Sequence, residues 1–335
     1  MSGWHIYRGT GEVAAAAIDA LPEPPSWRRF TGEGHATRPA DDGGEGARKV
    51  GRVPGVPRTP APHEVEMVNS AIYLRRPLLV TGAPGTGKSA LAYLIARELG
   101  LGPVLRWPVT SRTMLVDGLY LYDAIGRVQA ANTQDAVPDI GDYIHLGALG
   151  TALLAADLPR VLLIDELDKG DIDLPNDLLN IFEEGEYDIP ELVRYAKVQP
   201  EVGVLTADTG HQAVVRAGRV RCREFPIVVI TSNGEREFPP AFLRRCLRLK
   251  IEQPDRERLA GMVAAHFGHD HDLDIAQLID DFQRRADKVG PLAADQLLNA
   301  VEMATRLSTS GAYKPDGEWG ALLDNLWHPL SAESG

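Results

Sequence analysis

The sequence predicts an α/β protein, a doubly wound parallel sheet of five strands with a small C-terminal helical domain behind it. Three observations carry that prediction. From residue 64 onward short apolar runs alternate with amphipathic segments; the runs are β-branched or Leu-rich and lack polar alternation; and after Pro254 helical periodicity continues with no further strand. A run without alternation reads as a strand covered on both faces, as in a parallel sheet between helical layers.

Residues 1–60 stand apart. The stretches "LPEPPSWRRF" and "TGEGHATRPADDGGEGARKVGRVPGVPRTPAP" concentrate Pro, Gly and charge, a composition that buries too little apolar surface to offset the entropy of ordering. They are expected to form a partly flexible extension and linker, with a short helix around Glu12–Leu21. The cluster Trp27, Arg28, Arg29, Phe30 either docks on the main body or a partner, or rides on a mobile tail. The α/β domain is expected over 61–253 and the helical domain over 254–335.

Within the α/β domain, "EVEMVNSAIYLRR" spaces Val65, Val68, Ile72 and Tyr73 as a helix does. "PLLVTG" is a short strand, and "SALAYLIAREL" is a helix ended by Gly100. "PVLRWPV", "RVLLIDE", "FPIVVITSN" and "LRLKI" complete the five strands. Ligands of such sheets sit beyond the carboxyl ends of the strands. "DRERLAGMVAAHF", "DIAQLIDDFQRRADKV" and "PLAADQLLNAVEMATRL" are helical.

Bulk properties narrow the function. With 335 residues, 44% of them hydrophobic and 24% charged, the chain can bury a full core. A formal net charge of −12 argues against a groove for nucleic acid. Cys222 and Cys246 lack zinc-site spacing and are expected as reduced, structural thiols. No apolar run approaches membrane-helix length, and "MSGWHIYRGTGEV" lacks a leader pattern. A cytoplasmic protein with no membrane partner is expected.

Three motifs carry chemistry. "GAPGTGKS", comprising Gly82, Ala83, Pro84, Gly85, Thr86, Gly87, Lys88 and Ser89, has P-loop spacing between a strand and a helix. Its glycines let backbone amides converge on phosphate oxygens, Lys88 reaches the β/γ-phosphates, and the Ser89 hydroxyl serves Mg2+. The cofactors expected are ATP and Mg2+. "RVLLIDELDK" ends a buried strand in two acids: Asp165 is placed to hold the metal directly or through water, and Glu166 to polarise an attacking water. In "TSNGEREFPPAFLRRC", Asn233 ends a third strand, expected between the other two at the same edge, where its amide orients the water or touches the γ-phosphate. A plain turn before Gly234 is the competing reading.

These residues resemble the AAA+ ATPases, and within them the MoxR-like group, over about residues 62–310. The resemblance rests on "GAPGTGKS", "VLLIDELDK", "PNDLLNIFEEGEYDIPEL" and "TSNGEREFPPAFLRRC". It implies a P-loop NTPase sheet with a helical lid and Mg2+-dependent ATP hydrolysis. It also implies a ring-shaped homo-oligomer, expected as a hexamer with ATP at subunit interfaces, and chaperone-like remodelling of a protein client, for which a von Willebrand A domain protein is a candidate. In that family Asn233 matches sensor 1, and one of two paired arginines reaches the neighbouring subunit's ATP. Arg244 is the first choice and Arg245 the alternative, against a purely structural helix-surface pair. β-Hairpin insertions near 187–224 would face a central pore or partner, or form a plain surface hairpin.

One departure keeps a second function in view. Where many AAA+ proteins carry a sensor 2 arginine, "VGPLAADQLL" offers Ala293 and Ala294, with Lys288 and Arg285 as substitutes. A nucleotide-dependent regulatory switch or scaffold with slow turnover is therefore the alternative to a remodeller. A small-molecule kinase leaves Asn233 and the arginines unexplained, and no NKxD-type motif supports a GTPase. His266, His269 and His271 lack a helical HExxH arrangement and read as solvated loop histidines.

Overall fold

Five short apolar strands pair entirely in parallel because helices cover both faces of the sheet they form. The computed structural model describes residues 3–40, 42–52, 60–133, 138–268, 274–309 and 317–329. In chain order the first elements are α1 (Glu45–Val50), α2 (Pro62–Leu74), β1 (Leu78–Thr81), α3 (Ala90–Glu98), β2 (Leu105–Pro108), α4 (Leu115–Leu119), β3 (Tyr120–Tyr122), α5 (Ala124–Thr133), β4 (Ile144–Leu146), α6 (Ala148–Ala152) and β5 (Val161–Asp165). There follow α7 (Leu174–Glu184), β6 (Glu186–Asp188), α8 (Pro190–Tyr195), β7 (Glu201–Leu205), β8 (Gln212–Arg216), β9 (Arg219–Arg221), β10 (Ile227–Ser232), α9 (Pro240–Leu243) and β11 (Leu247–Lys250). The helices α10 (Arg256–Phe267), α11 (Ile275–Val289), α12 (Ala294–Thr309) and α13 (Gly317–Leu326) complete the chain.

The main sheet runs β11-β1-β10-β5-β2. Its central strands are buried along almost their whole length, and successive residues serve opposite cores. Leu79, Ile164 and Ile230 enter one cluster with α6 and α7, while Leu78, Val80 and Val229 enter the other with α2 and α3. The outer strands behave differently. "PVLRWPV" reads as a doubly covered strand, yet in β2 Leu105 and Trp107 are buried while Arg106 and Pro108 are exposed. An edge strand has only one face to bury, and Pro108 costs no ladder bond there.

A second sheet, β3-β4-β7-β8-β9-β6, joins chain segments that the sequence does not link. Strands between 187 and 224 are expected, and β7, β8 and β9 form there; β3 and β4, which flank α5, carry no comparable signal. A bidentate ion pair fastens this sheet to the first. Arg160, at the foot of β5, holds Asp208 in the β7–β8 loop at 2.7 and 2.8 Å with both side chains buried.

The N-terminal region lies against the body over its described parts. Ile6, Tyr7 and Ile18 belong to the core beneath α2 and α3, and a short 3-10 helix spans Ala15–Ala20. Asn69 on α2 accepts the Ile6 and Tyr7 amides at 2.8 and 3.0 Å and donates to the Tyr7 and Val65 carbonyls. A few large anchors suffice where average composition suggests a linker. The cluster at 27–30 is docked on the body: Phe30 stacks on Phe225 and Arg28 sits over the same ring, leaving Trp27 78% exposed.

Helices α10 to α13 close around Leu259, Val263, Phe282, Leu297, Val301 and Trp327. Cys222 and Cys246 are buried and unpaired, their thiols pushed up to about 12 by burial. Among the described residues no helix is long and apolar enough to cross a membrane.

Replacing Asn69 with Ala should cost about 3 kcal/mol, because the buried Ile6 and Tyr7 amides and the Tyr7 carbonyl would lose the hydrogen bonds that the Asn69 side chain makes to them. Denaturant unfolding measures the loss, and limited proteolysis should cut first near the N-terminus.

Candidate active site

Parallel pairing brings the three motifs to one edge. β10 lies between β1 and β5, with Val80 opposite Thr231 and Ile230 opposite Ile164. The 82–89 loop, the Asp165–Glu166 pair and Asn233 therefore follow three adjacent strands at the same end of the sheet.

The 82–89 loop is drawn around its own lysine. Lys88 is buried, and its Nζ donates to the Gly82 and Ala83 carbonyls at 2.9 and 2.7 Å. Burial pulls the ammonium below the usual lysine range, against the fields of Asp168, Glu166 and Asp165. Thr86 ties the turn by donating to the Ala83 carbonyl at 2.9 Å, and α3 begins directly after Ser89. Gly85 has φ 72°, and a Cβ there would run into Ala293, so only glycine satisfies both the turn and the contact. Charged Lys88, a glycine turn and a following helix suit a phosphate chain.

Asp165 is the hub. Its Oδ1 accepts from Ser89 Oγ at 2.6 Å and from Thr231 Oγ1 at 2.9 Å. Its Oδ2 accepts from Arg106 Nη2 at 2.8 Å and Nε at 3.1 Å. Burial works to raise this carboxyl, but the hydrogen bonds from Ser89, Arg106 and Thr231 outweigh it and hold it below the ordinary carboxylate range. Ser89 and Asp165 present hard oxygen donors that fit Mg2+, a cation commonly bound through one or two carboxylates together with phosphates and water. Among the described residues no group of three or more His, Cys, Asp or Glu forms a self-sufficient metal site. His266 is drawn down by burial and by Arg97; His269 and His271 lie outside the described residues.

Glu166 takes a left-handed backbone conformation, φ 62° and ψ 50°, a strained state for a non-glycine residue. The bend turns its side chain toward Asn233, whose Nδ2 lies 3.4 Å from Glu166 Oε1, while Lys169 holds Oε2 at 2.8 Å. The Glu166 amide donates to Thr231 Oγ1 at 2.8 Å. Asp168 fixes the turn that carries Asn233, its Oδ2 accepting the Asn233 and Glu235 amides at 2.9 and 3.0 Å. Asp168, Thr231 and Arg106 are absent from the expected site. Asp168 is legible as a third acid in "DELDK", whereas only strand pairing reveals the other two.

The paired arginines differ. Arg245 is held by Glu183 at 2.6 Å and reaches the Ala241 carbonyl. The Arg244 side chain is exposed and has no partner among the described residues, while Arg76 donates to the backbone carbonyls of both. In the C-terminal helices, Arg285 pairs with Asp324 at 2.8 Å and Lys288 is exposed. The Ala294 amide instead donates to the Gly85 carbonyl at 3.2 Å.

A family model described as AAA domain, dynein-related subfamily, matches residues 77–246, just over half of the chain. This chain belongs to that AAA family. The match spans the 82–89 loop, the Asp165–Glu166 pair, Asn233 and both arginines, and it supports an AAA+ ATPase without reaching the MoxR-like group. No curated protein matches the chain. Among solved structures, it is similar to NtrX from Brucella abortus in complex with ADP, at 16% identity over 86% of this chain and 58% of that one, with a TM-score of 0.40. It is also similar to the FIGL-1 AAA domain in complex with ADP, at 14% identity over 78% of this chain and 75% of that one, with a TM-score of 0.37. The chain thus spans little more than half the length of NtrX.

Replacing Asp168 with Ala should free the Asn233 and Glu235 amides of this AAA module. Their hydrogen-exchange protection should fall by about tenfold or more, while that of central β10 holds.

Proposed function

We propose that this AAA protein is a Mg2+-dependent ATPase of the MoxR-like kind, working as a ring of identical subunits that remodels a protein client. The observation that carries this reading is the convergence of Lys88, Ser89, Asp165, Glu166 and Asn233 at one sheet edge. In this reading the 82–89 amides and Lys88 bind the phosphates. Ser89 and Asp165 would hold Mg2+, which when bound supplies charge neutralisation at the phosphates. Glu166 polarises a water held in line by Asn233, and Asp168 keeps Asn233 in position.

Arg244 is the better candidate for the trans arginine, because its side chain is exposed and has no partner among the described residues while Arg245 is already engaged by Glu183. The client reading draws support from the second sheet and α5, where Leu121, Ile125 and Val128 are exposed; apolar side chains grouped at a surface suit a protein partner. A slow switch or scaffold is the second reading. It is favoured by Ala293 and Ala294 packing against the glycine loop where an arginine would otherwise act.

Lys88→Ala should lose nucleotide binding. Glu166→Gln should retain binding while turnover falls by about two to four powers of ten, as calorimetry and phosphate release would measure. Partners co-purified with the Glu166→Gln protein, a von Willebrand A domain protein among the candidates, then separate the readings: a remodeller is stimulated by its client, whereas a switch stays slow.

Arg244→Ala subunits should regain turnover when mixed with Lys88→Ala subunits in rings shown to exchange. Lack of rescue removes the trans role from Arg244.

A further inference from the structure

A carboxylate offers about four lone-pair positions, and at Asp165 all of them are in use. Ser89 and Thr231 occupy Oδ1, and the two guanidinium N–H groups of Arg106 occupy Oδ2. A metal ion, or a water from its shell, reaches this carboxylate only if a donor withdraws. The donors differ in their freedom to do so. Thr231 is buried in a central strand and also holds the Glu166 amide. Ser89 can keep its hydrogen bond to Asp165 while offering its own lone pairs to a cation. Arg106 stands on the edge strand β2, its side chain 40% exposed against 9% for Asp165, and a long flexible stem lets it swing away.

The charges around Arg106 suit a resident cation. Besides Asp165, the Tyr93 phenol and the Glu45 carboxylate lie near it. Those two groups are hydrogen-bonded to each other at 2.9 Å, joining α3 to α1. No other described side chain donates to Asp165 Oδ2.

We propose that Arg106 is a positioning residue that takes the place of the metal: it neutralises and orients Asp165 in the metal-free protein and is displaced when Mg2+ arrives with the nucleotide. The inference deepens the ATPase reading and rests on it. Arg106 and the metal compete for one oxygen, so the arginine sets how much metal the site requires. It keeps Asp165 preorganised without inviting metal before nucleotide is present.

The test is a Mn2+ titration, followed by electron paramagnetic resonance, of the full chain saturated with ADP, comparing wild type with Arg106→Met and Arg106→Lys. ADP affinity in EDTA, measured by calorimetry, is the companion measurement. Arg106→Met removes the competitor but keeps most of the stem, so Mn2+ should bind about tenfold more tightly. Arg106→Lys retains a cation without the paired donors and should fall between the two. ADP affinity in EDTA should stay within about twofold. Unchanged or weaker Mn2+ binding in Arg106→Met overturns the proposal, and weaker binding would mean that the arginine belongs to the loaded site. If Arg106→Met fails to fold, Arg106→Lys decides alone, with unchanged or weaker Mn2+ binding overturning the proposal. Failure of wild type itself to bind ADP in EDTA and in Mn2+ would sink the nucleotide reading instead, and the proposal with it.

Discussion

The Asp165 carboxylate is the point on which the site depends. It gathers Ser89 from the glycine loop, Thr231 from β10 and Arg106 from β2 onto the end of β5. A buried anion is tolerated only when paired and fully hydrogen-bonded, so the four elements are held together by the need to satisfy one side chain. The position of each candidate residue follows. Thr231 also receives the Glu166 amide, which turns Glu166 toward Asn233, and Asp168 completes the circuit by holding the turn in which Asn233 sits.

The same strand connects the site to the second sheet. β5 carries Asp165 at its carboxyl end and follows directly from Arg160, whose buried pairing with Asp208 grips the β7–β8 loop. Breaking one partner of such a pair leaves an uncompensated charge, so the insertion and the main sheet are tied by a bond that is costly to open. On the other side, Ala293 and Ala294 press against the glycine loop through backbone and small side chains. Contacts of that kind depend on close approach more than on charge. The C-terminal helices are therefore joined to the loop by packing and one backbone hydrogen bond.

The N-terminal region shows how composition misleads. Its Pro, Gly and charge content predicts poor burial, but ordering a segment needs only enough anchors to offset its entropy. Tyr7, buried beside the Asn69 amide, and Phe30, stacked on Phe225, supply them. Average composition does not register single residues that pack into the core.

What the sequence by itself determined was local. The glycine spacing of 82–89, the acids ending a buried run at 165 and 166, and Asn233 after another are contiguous patterns, each stating a backbone need or a charge at a strand end. The apolar runs without alternation and the helical periodicity after Pro254, equally local, sufficed for the α/β sheet and the helices behind it. What only the tertiary structure decided was which distant residues share an atom: Arg106 and Thr231 on Asp165, Arg160 on Asp208, Ala294 on Gly85, and Arg245 on Glu183. Strand order and the depth of burial settle those contacts. Neither is written in any short stretch of chain, because a hydrogen-bond partner dozens of residues away leaves no periodicity to read.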